Sequence, residues 1–288
     1  MERLHKVLAH AGIASRRKCE ELILAKRVRV NGALVAELGT QVDPDHDRIQ
    51  VDGETIHVER KAYIILHKPR GYLSDLDSPD TPSDKPLAID LIQTQERLYA
   101  AGRLDAASEG LLFFTNDGDL AHRITHPRYQ HEKEYLALVV GVPSSETLAR
   151  LRQGVLYEGE WLRADAVKTI SHLGAMARKH KWDEAQRDEM WLSIILHEGK
   201  KREIRHLCNA VGHPVKRLIR VRIGPIELGT LRVGKWRALN QGEIDQLKSF
   251  TQPKEKQRDD SQHHPASFDH RHRRTRGVGQ EHDRRARR

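Results

Sequence analysis

The chain predicts an α+β protein in three parts: a small helix-helix-hairpin domain, a larger domain on a largely antiparallel mixed sheet, and a disordered basic tail. Three observations predict this. Two short amphipathic helices and an Asn-Gly turn open the chain. From about residue 61, strand-type apolar runs outnumber helical stretches and do not alternate regularly with them. After about Gln252 the sequence is rich in His, Arg, Asp and Gln and nearly free of large apolar side chains, so it cannot bury a core.

In the first domain, Leu4, Val7, Leu8 and Ile13 form one apolar stripe. Ser15 is a good N-cap for a second helix whose Leu22 and Ile23 face inward. Val28-Arg29-Val30 alternates and runs into Asn31-Gly32, a strong hairpin signal, and strands continue through Val42 and Ile49–Val51. Residues 1–31 hold 8 basic and 3 acidic side chains, and residues 32–60 hold 2 basic and 7 acidic. Ser15, Arg16, Arg17 and Lys18 open a helix, so backbone N–H groups and cations share one end, where a phosphate would fit. Taken alone, the same residues fit a solvated basic helix end equally well.

Glu59-Arg60-Lys61 reads as a linker, which places the domains at 1–60 and 61–250 and the tail at 251–288. The second domain opens with the apolar run Tyr63–Leu66. Strands are predicted at Leu111–Thr115, Tyr135–Val140, Trp161–Ile170, Trp191–Leu196 and Leu218–Ile223. Helices are predicted at Asp119–Thr125, Glu146–Gln153 and Arg202–Val211. Ala175–Met190 is charged and weakly patterned and reads as a loop insertion between strands. In the tail, His263, His264, His270 and His272 have no zinc-site spacing and no cysteine nearby, so a non-specific RNA contact is the better reading.

The 288 residues suffice for two domains plus a tail at roughly 150 residues per domain. No run approaches the roughly 18 apolar residues of a membrane helix, and Met1–Lys6 lacks a signal-peptide apolar core. Cys19 and Cys208 lie far apart and suggest no disulfide framework, so a cytoplasmic protein is expected, with a monomer as the default and no membrane partner. The net charge of +9 and pI near 9.6 point to a polyanionic partner. Residues 254–288 carry +5 of that charge, so the body is only mildly basic and local clusters matter most.

The most specific segment is Gly102-Arg103-Leu104-Asp105-Ala106-Ala107-Ser108-Glu109-Gly110-Leu111-Leu112. It resembles the catalytic signature of the pseudouridine synthases, in the ribosomal RNA branch of the RsuA/RluB type. The N-terminal pattern Arg3-Leu4, Lys6-Val7-Leu8, Gly12, Ser15-Arg16-Arg17, Leu22-Ile23 and Val28–Gly32 resembles the S4 RNA-binding domain, except that Lys26 stands where that family usually has glycine. Leu66-His67-Lys68-Pro69-Arg70-Gly71 resembles the family's Lys-Pro-X-Gly loop. Leu218–Pro225 resembles the run after its third motif. The Asp/Ser/Pro-rich loop Asp75–Lys85 departs from the usual text.

The resemblance implies a cofactor-free, metal-free isomerase that breaks the C1′–N1 bond of a uridine, turns the base and joins C1′ to C5. One carboxylate suffices, because no water has to be activated as in a glycoside hydrolase. Asp105 takes that place, acting by direct attack at C1′ or by assisting a glycal intermediate. Glu198–Leu207 resembles the motif whose arginine pairs with this aspartate, here Arg205; without the motif, Arg205 reads as one surface arginine among several. Tyr135, in Lys133-Glu134-Tyr135, matches the tyrosine that stacks on the target base, though alone it fits a core aromatic. Arg103 matches an arginine that fills the gap left by an extruded base, and equally fits a structural ion pair.

Arg3, Lys6, Ser15, Arg16, Arg17, Lys18, Arg27, Arg29 and Asn31 of the first domain, with Lys68 and Arg103 of the second, are the expected RNA contacts. The implied partner is ribosomal RNA or an assembling large subunit, with a small-subunit target as the alternative. A non-enzymatic RNA-binding or assembly factor is the competing class. It has no need for a carboxylate facing RNA phosphates, which makes the co-occurrence of Asp105, Tyr135 and Arg205 the discriminating feature.

Overall fold

The structure, a computed structural model, describes residues 1–44, 46–56, 60–75, 84–173, 180, 182 and 185–251. The expected tail at 251–288 lies outside the described residues apart from Thr251, as do most of the loop at 75–85 and half of that at 175–190.

The first domain runs β1 (Glu2–Arg3), α1 (Leu4–His10), α2 (Arg16–Leu24), β2 (Val28–Val30), β3 (Ala33–Val35), β4 (Gln41–Val42), β5 (Ile49–Val51) and β6 (Glu54–Thr55). Leu4, Val7 and Leu8 of α1 meet Cys19, Leu22 and Ile23 of α2 over Val28, Ile49 and Val51. Ile13 departs from the expected stripe: α1 ends at His10, and Ile13 is 38% exposed in the interhelix turn. Ser15 caps α2 by accepting from the Lys18 amide. Asn31 and Gly32, at φ 51° and 83°, make the mirror-image turn that matches strand twist between β2 and β3.

The second domain runs β7 (Tyr63–Lys68), β8 (Tyr99–Ala101), β9 (Glu109–Thr115), α3 (Gly118–Thr125), β10 (Lys133–Val140), α4 (Ser145–Gln153), β11 (Val155–Tyr157), β12 (Glu160–Leu162), β13 (Ala166–Ile170), β14 (Glu189–Leu196), α5 (Glu203–Ala210), β15 (Val215–Ile223), β16 (Ile226–Glu227), β17 (Trp236–Ala238) and α6 (Gln241–Phe250). One mixed sheet takes the order β13-β14-β10-β15-β9-β7-β17, with β8 on β9 and β16 on β15. β9 and β15 pair in parallel, and the other pairings are antiparallel.

Both faces of this sheet are covered, which is why β7 and β9 are buried at every position rather than alternating. Leu66, Leu112, Tyr135, Ala137 and Leu218 pack on one side with Leu151 of α4 and Ile204 and Leu207 of α5. Ile65, Leu111, Phe113, Leu136 and Ile219 pack on the other with Leu120 and Ile124 of α3 and Leu247 of α6. The expected strand Trp161–Ile170 is two strands: β12 folds back on β11, and β13 forms the sheet edge after the break at residues 163–165. The loop expected to reach Met190 ends earlier, at the start of β14. Its described His180 and Trp182 pack against His67 of β7.

Lys26 follows α2 in the left-handed region at φ 59°. Its amide donates to Ile23 and that of Arg27 to Leu22, the paired bonds that close a helix on a left-handed residue. A side chain there carries strain that glycine avoids. Lys26→Gly is expected to stabilise the protein by about 0.5–1 kcal/mol, read as a higher urea midpoint; a lower midpoint would show that the chain gains nothing from relief at this turn.

Candidate active site

The loop carrying Asp105 connects β8 to β9, and its backbone is held along most of its length. Ser74 Oγ accepts from the Leu104 amide and donates to the Leu104 carbonyl, both at 2.9 Å. The Gly71 amide donates to Ala106 O at 2.7 Å. Lys68 Nζ donates to Ser108 O at 2.8 Å and to Pro69 O at 2.9 Å. Arg205, reaching from α5, donates to Ala107 O at 3.2 Å and to Ser108 Oγ at 3.4 Å. The loop closes on itself where the Ser108 amide donates to Asp105 O.

Gly110 ends the loop at φ +111°, and a Cβ there would stand 2.3 Å from the Arg220 carbonyl. That glycine lets β9 approach β15 in the parallel pairing of Arg220 with Gly110. Glu109 is buried and meets Arg217 through two hydrogen bonds, at 2.6 and 3.0 Å. The Ser-Glu-Gly run therefore joins the Asp105 loop to the sheet centre.

Asp105, half-buried, lines a cleft of about 1020 Å³ together with Arg103, Lys133, Tyr135, Glu203 and Arg220. Tyr135 opens the buried part of β10 at 8% exposure and lies directly across from Arg220 of β15. Asp105 and Arg205 also line an adjoining hollow of about 420 Å³. The cleft lining holds seven Lys or Arg against four acidic residues, so it favours a polyanion while keeping Asp105 in a cationic surround. Burial pulls the Arg205 pKa down, and the Asp105 charge acts against that shift.

Three expectations differ from the geometry. Arg205 makes no ion pair with Asp105 among the described residues; its guanidinium is occupied by Val215 O, Ala107 O and Ser108 Oγ and acts on the loop and, at longer range, on the carboxylate. Lys68 is no surface contact: it is fully buried and binds carbonyls. Asn31 is exposed, but its amide is taken up by Asp47 and by the Arg48 amide within the turn.

Among the remaining expected RNA contacts, Arg3, Arg16, Arg17, Lys18, Arg27, Arg29 and Arg103 are exposed, as is the capping Ser15. Arg27 is paired with Asp52, Lys18 with Glu21, and Arg29 with Gly32 O. Lys6 donates to Asp119 of α3 at 2.7 Å, and Arg16 stands 3.8 Å from the same carboxylate.

Sequence reasoning passed over Lys133, Glu203 and Arg220. Lys133 Nζ donates to the His131 and His197 carbonyls, and burial, aided by Arg220, lowers its pKa to about 8. Glu203 is 4% exposed, accepts from the Lys200 amide at the start of α5, and has its pKa raised by burial. Arg220 is 3% exposed, donates through Nε to Leu111 O at 2.9 Å, and keeps Nη2 buried without a partner among the described residues. A cation at mid-strand between Ile219 and Val221 was the available signal for Arg220.

A carboxylate on a braced loop, lining a basic cleft together with an aromatic ring, in a chain with a small basic helix-helix-hairpin module, defines an enzyme that acts on RNA. The chain matches the family model for RNA pseudouridylate synthase over residues 62–210 and that for the S4 domain over residues 2–49. It is 45% identical over 246 residues to an RNA pseudouridine synthase of Aquifex aeolicus, covering 85% of this chain and 93% of that one. It is 37% identical over 250 residues to ribosomal large subunit pseudouridine synthase B of Bacillus subtilis, covering 87% and 97%. A crystal structure of a pseudouridylate synthase superposes with a TM-score of 0.55 at 26% identity, over 86% of this chain and 100% of that one. The chain belongs to the RNA pseudouridylate synthase family; it is an RNA pseudouridine synthase with an N-terminal S4 domain.

Burial lowers the Lys68 pKa from its ordinary 10.5 to about 8, with Glu109 and Asp105 opposing the shift. The unfolded chain binds that proton more tightly, so Lys68 detracts from stability below about pH 8, and the penalty is released as pH rises from about 8 to 10.5. Lys68→Met removes the term. In urea unfolding, wild-type stability minus variant stability should be level below pH 8 and climb from there to about 10.5; a level difference throughout would contradict a charged Lys68 at this site.

Proposed function

We propose that this enzyme converts one uridine of large-subunit ribosomal RNA to pseudouridine, with Asp105 acting at C1′. The single observation that carries the chemistry is the convergence of Asp105, Tyr135 and Arg103 on one cleft large enough for an extruded nucleotide. The large-subunit target rests on the B. subtilis relative and on a second relative of that name from Pseudomonas aeruginosa, 37% identical over 254 residues.

In this reading the uridine leaves its stack and enters the cleft, with the exposed Arg103 filling the gap. Tyr135 stacks on the uracil. The Asp105 carboxylate acts as the C1′–N1 bond breaks; the base turns, C5 bonds to C1′ and loses its proton, and N1 regains one. Arg205 acts as a positioning residue: it holds the carbonyl of Ala107 and the hydroxyl of Ser108, and so fixes the loop that carries Asp105. Among the S4 cations, Arg17 is exposed and stands at the N-terminus of α2, where a phosphate finds both the side chain and the helix dipole.

Asp105→Asn should bind a large-subunit RNA transcript as wild type does while losing tritium release from C5-labelled uridine by at least about 10³-fold. Turnover within about tenfold of wild type would remove Asp105 from the chemistry. Arg17→Ala should weaken RNA binding and lower the slope of log affinity against log salt by roughly 0.7–0.9, with the saturated rate retained. An unchanged slope would take the phosphate contact away from this helix.

A further inference from the structure

Beside the cleft, residues 122–131 build a short column of planar groups that neither the fold nor the chemistry requires. Its base is Phe250 of α6, whose ring lies 4.7 Å from that of buried His131. Tyr129 lies parallel to His131, within 7° and with centroids 5.8 Å apart. The Arg128 guanidinium covers Tyr129 at 4.5 Å from its centroid and donates to its hydroxyl. His122 and His126 stand edge-on to Tyr129, both 6.3 Å away, and His126 accepts from the Arg128 amide. The top layer, Arg128, is exposed, as are His122 and His126.

The column is anchored below and open above. Lys133, whose ammonium holds the His131 carbonyl, also lines the cleft, and Thr125, Pro127 and Gln130, from the same segment as the column, line it with Asp105. At its other end, α3 carries Asp119, which binds Lys6 of the S4 domain, and the charge of Arg16 reaches His122. The exposed side of α3 therefore leads from the S4 domain to the cleft mouth. Partial desolvation, with the charges of His126 and Arg128 beside it, lowers the His122 pKa.

We propose that Arg128 and Tyr129, flanked by His122 and His126, form a stacking platform for an unpaired nucleotide adjacent to the extruded uridine. An exposed guanidinium on an anchored ring column presents a planar cation to the π-face of any base, and the same charge meets the neighbouring phosphate. Such a platform binds single-stranded RNA without reading its sequence, and it would favour a target uridine in a loop over one in a helix. The placement next to the target rests on the reading of the cleft given above.

The test uses the full-length protein and two readouts. The first is binding of a fluorescein-labelled unpaired RNA of about twelve nucleotides. The second is single-turnover tritium release from a C5-labelled large-subunit transcript. Arg128→Ala should raise the Kd for the short RNA about tenfold, the scale of one lost base stack. It should move the half-saturating enzyme concentration on the transcript by a similar factor. Arg128→Lys should stay weak with its salt slope unchanged, and Tyr129→Phe should bind as wild type, because the ring and not the hydroxyl carries the stack. Wild-type affinity in Arg128→Ala would overturn the platform, and so would full rescue by Arg128→Lys, which would leave charge alone. The outcomes separate cleanly: lost short-RNA binding with no wild-type tritium release keeps the platform and removes the large-subunit target, whereas tritium release with unaltered short-RNA binding does the reverse.

Discussion

The rest of the site depends on the close passage of β9 against β15 at Gly110 and Arg220. With a Cβ only 2.3 Å from the Arg220 carbonyl, no side chain fits at position 110 without parting the two strands. The parallel pairing at that point joins the Asp105 loop, which precedes β9, to the strand that follows α5. Asp105, Arg205 and Arg220 thus arrive together from segments about 100 residues apart. The closeness is confined to one glycine, so the sheet keeps its packing on both faces while the loop reaches the cleft.

Around that passage lie several charges that burial would ordinarily penalise. Lys68 and Arg220 are 0% and 3% exposed, and Glu109 is 2% exposed. Their partners explain their presence. Glu109 has Arg217; Lys68 has two carbonyls; Arg220 has Leu111 O. Lys68 and Arg220 each hold a main-chain carbonyl of the Asp105 loop or of the strand that continues it, and Glu109 ties that strand to β15 through its side chain. A loop fixed by main-chain contacts gives its one carboxylate a fixed position, and electrostatic catalysis depends on groups that need not reorganise as charge develops. Low local dielectric strengthens each of these bonds, and it makes the loss of a single partner costly.

Local signals were legible in the sequence. Ser15 marks α2, Asn31-Gly32 marks the first hairpin, and the long apolar runs mark β9, β10 and β14. The α6 helix had a capping box in Asn240 and Glu243, with Ile244 and Leu247 one turn apart, and was passed over because its apolar content is small. Asp105, the carboxylate proposed to act on the uridine, was singled out because its motif is contiguous. Nothing near Lys68 in the sequence shows burial, because its acceptor Ser108 lies 40 residues downstream. Lys6 read as an RNA contact for the same reason: Asp119, which takes its charge, is 113 residues away. The stack on Tyr129 draws its base, Phe250, from the end of the described chain. A cation in a sequence shows its charge; only the fold shows what that charge already holds.

That distinction sorts the basic residues by what RNA can use. Lys68, fully buried and bonded to two carbonyls, braces the site, and the partly buried Lys133 at the cleft spends its ammonium on two carbonyls as well. Cations at the junction of the two domains are half committed: Lys6 and Arg16 share Asp119, and Arg97 donates to the Gly12 carbonyl at 3.1 Å. Partly exposed pairs of this kind contribute about 0–1 kcal/mol each, so they orient the S4 domain without fixing it rigidly. Of the two contacts with Asp119, that of Lys6 is the shorter, at 2.7 Å against 3.8 Å for Arg16. Arg17, Arg103 and Arg128 are exposed. They lie at the S4 helix end, the cleft and the ring column respectively, which in the reading proposed above offers RNA exposed charge at three places even though the body of the protein is only mildly basic.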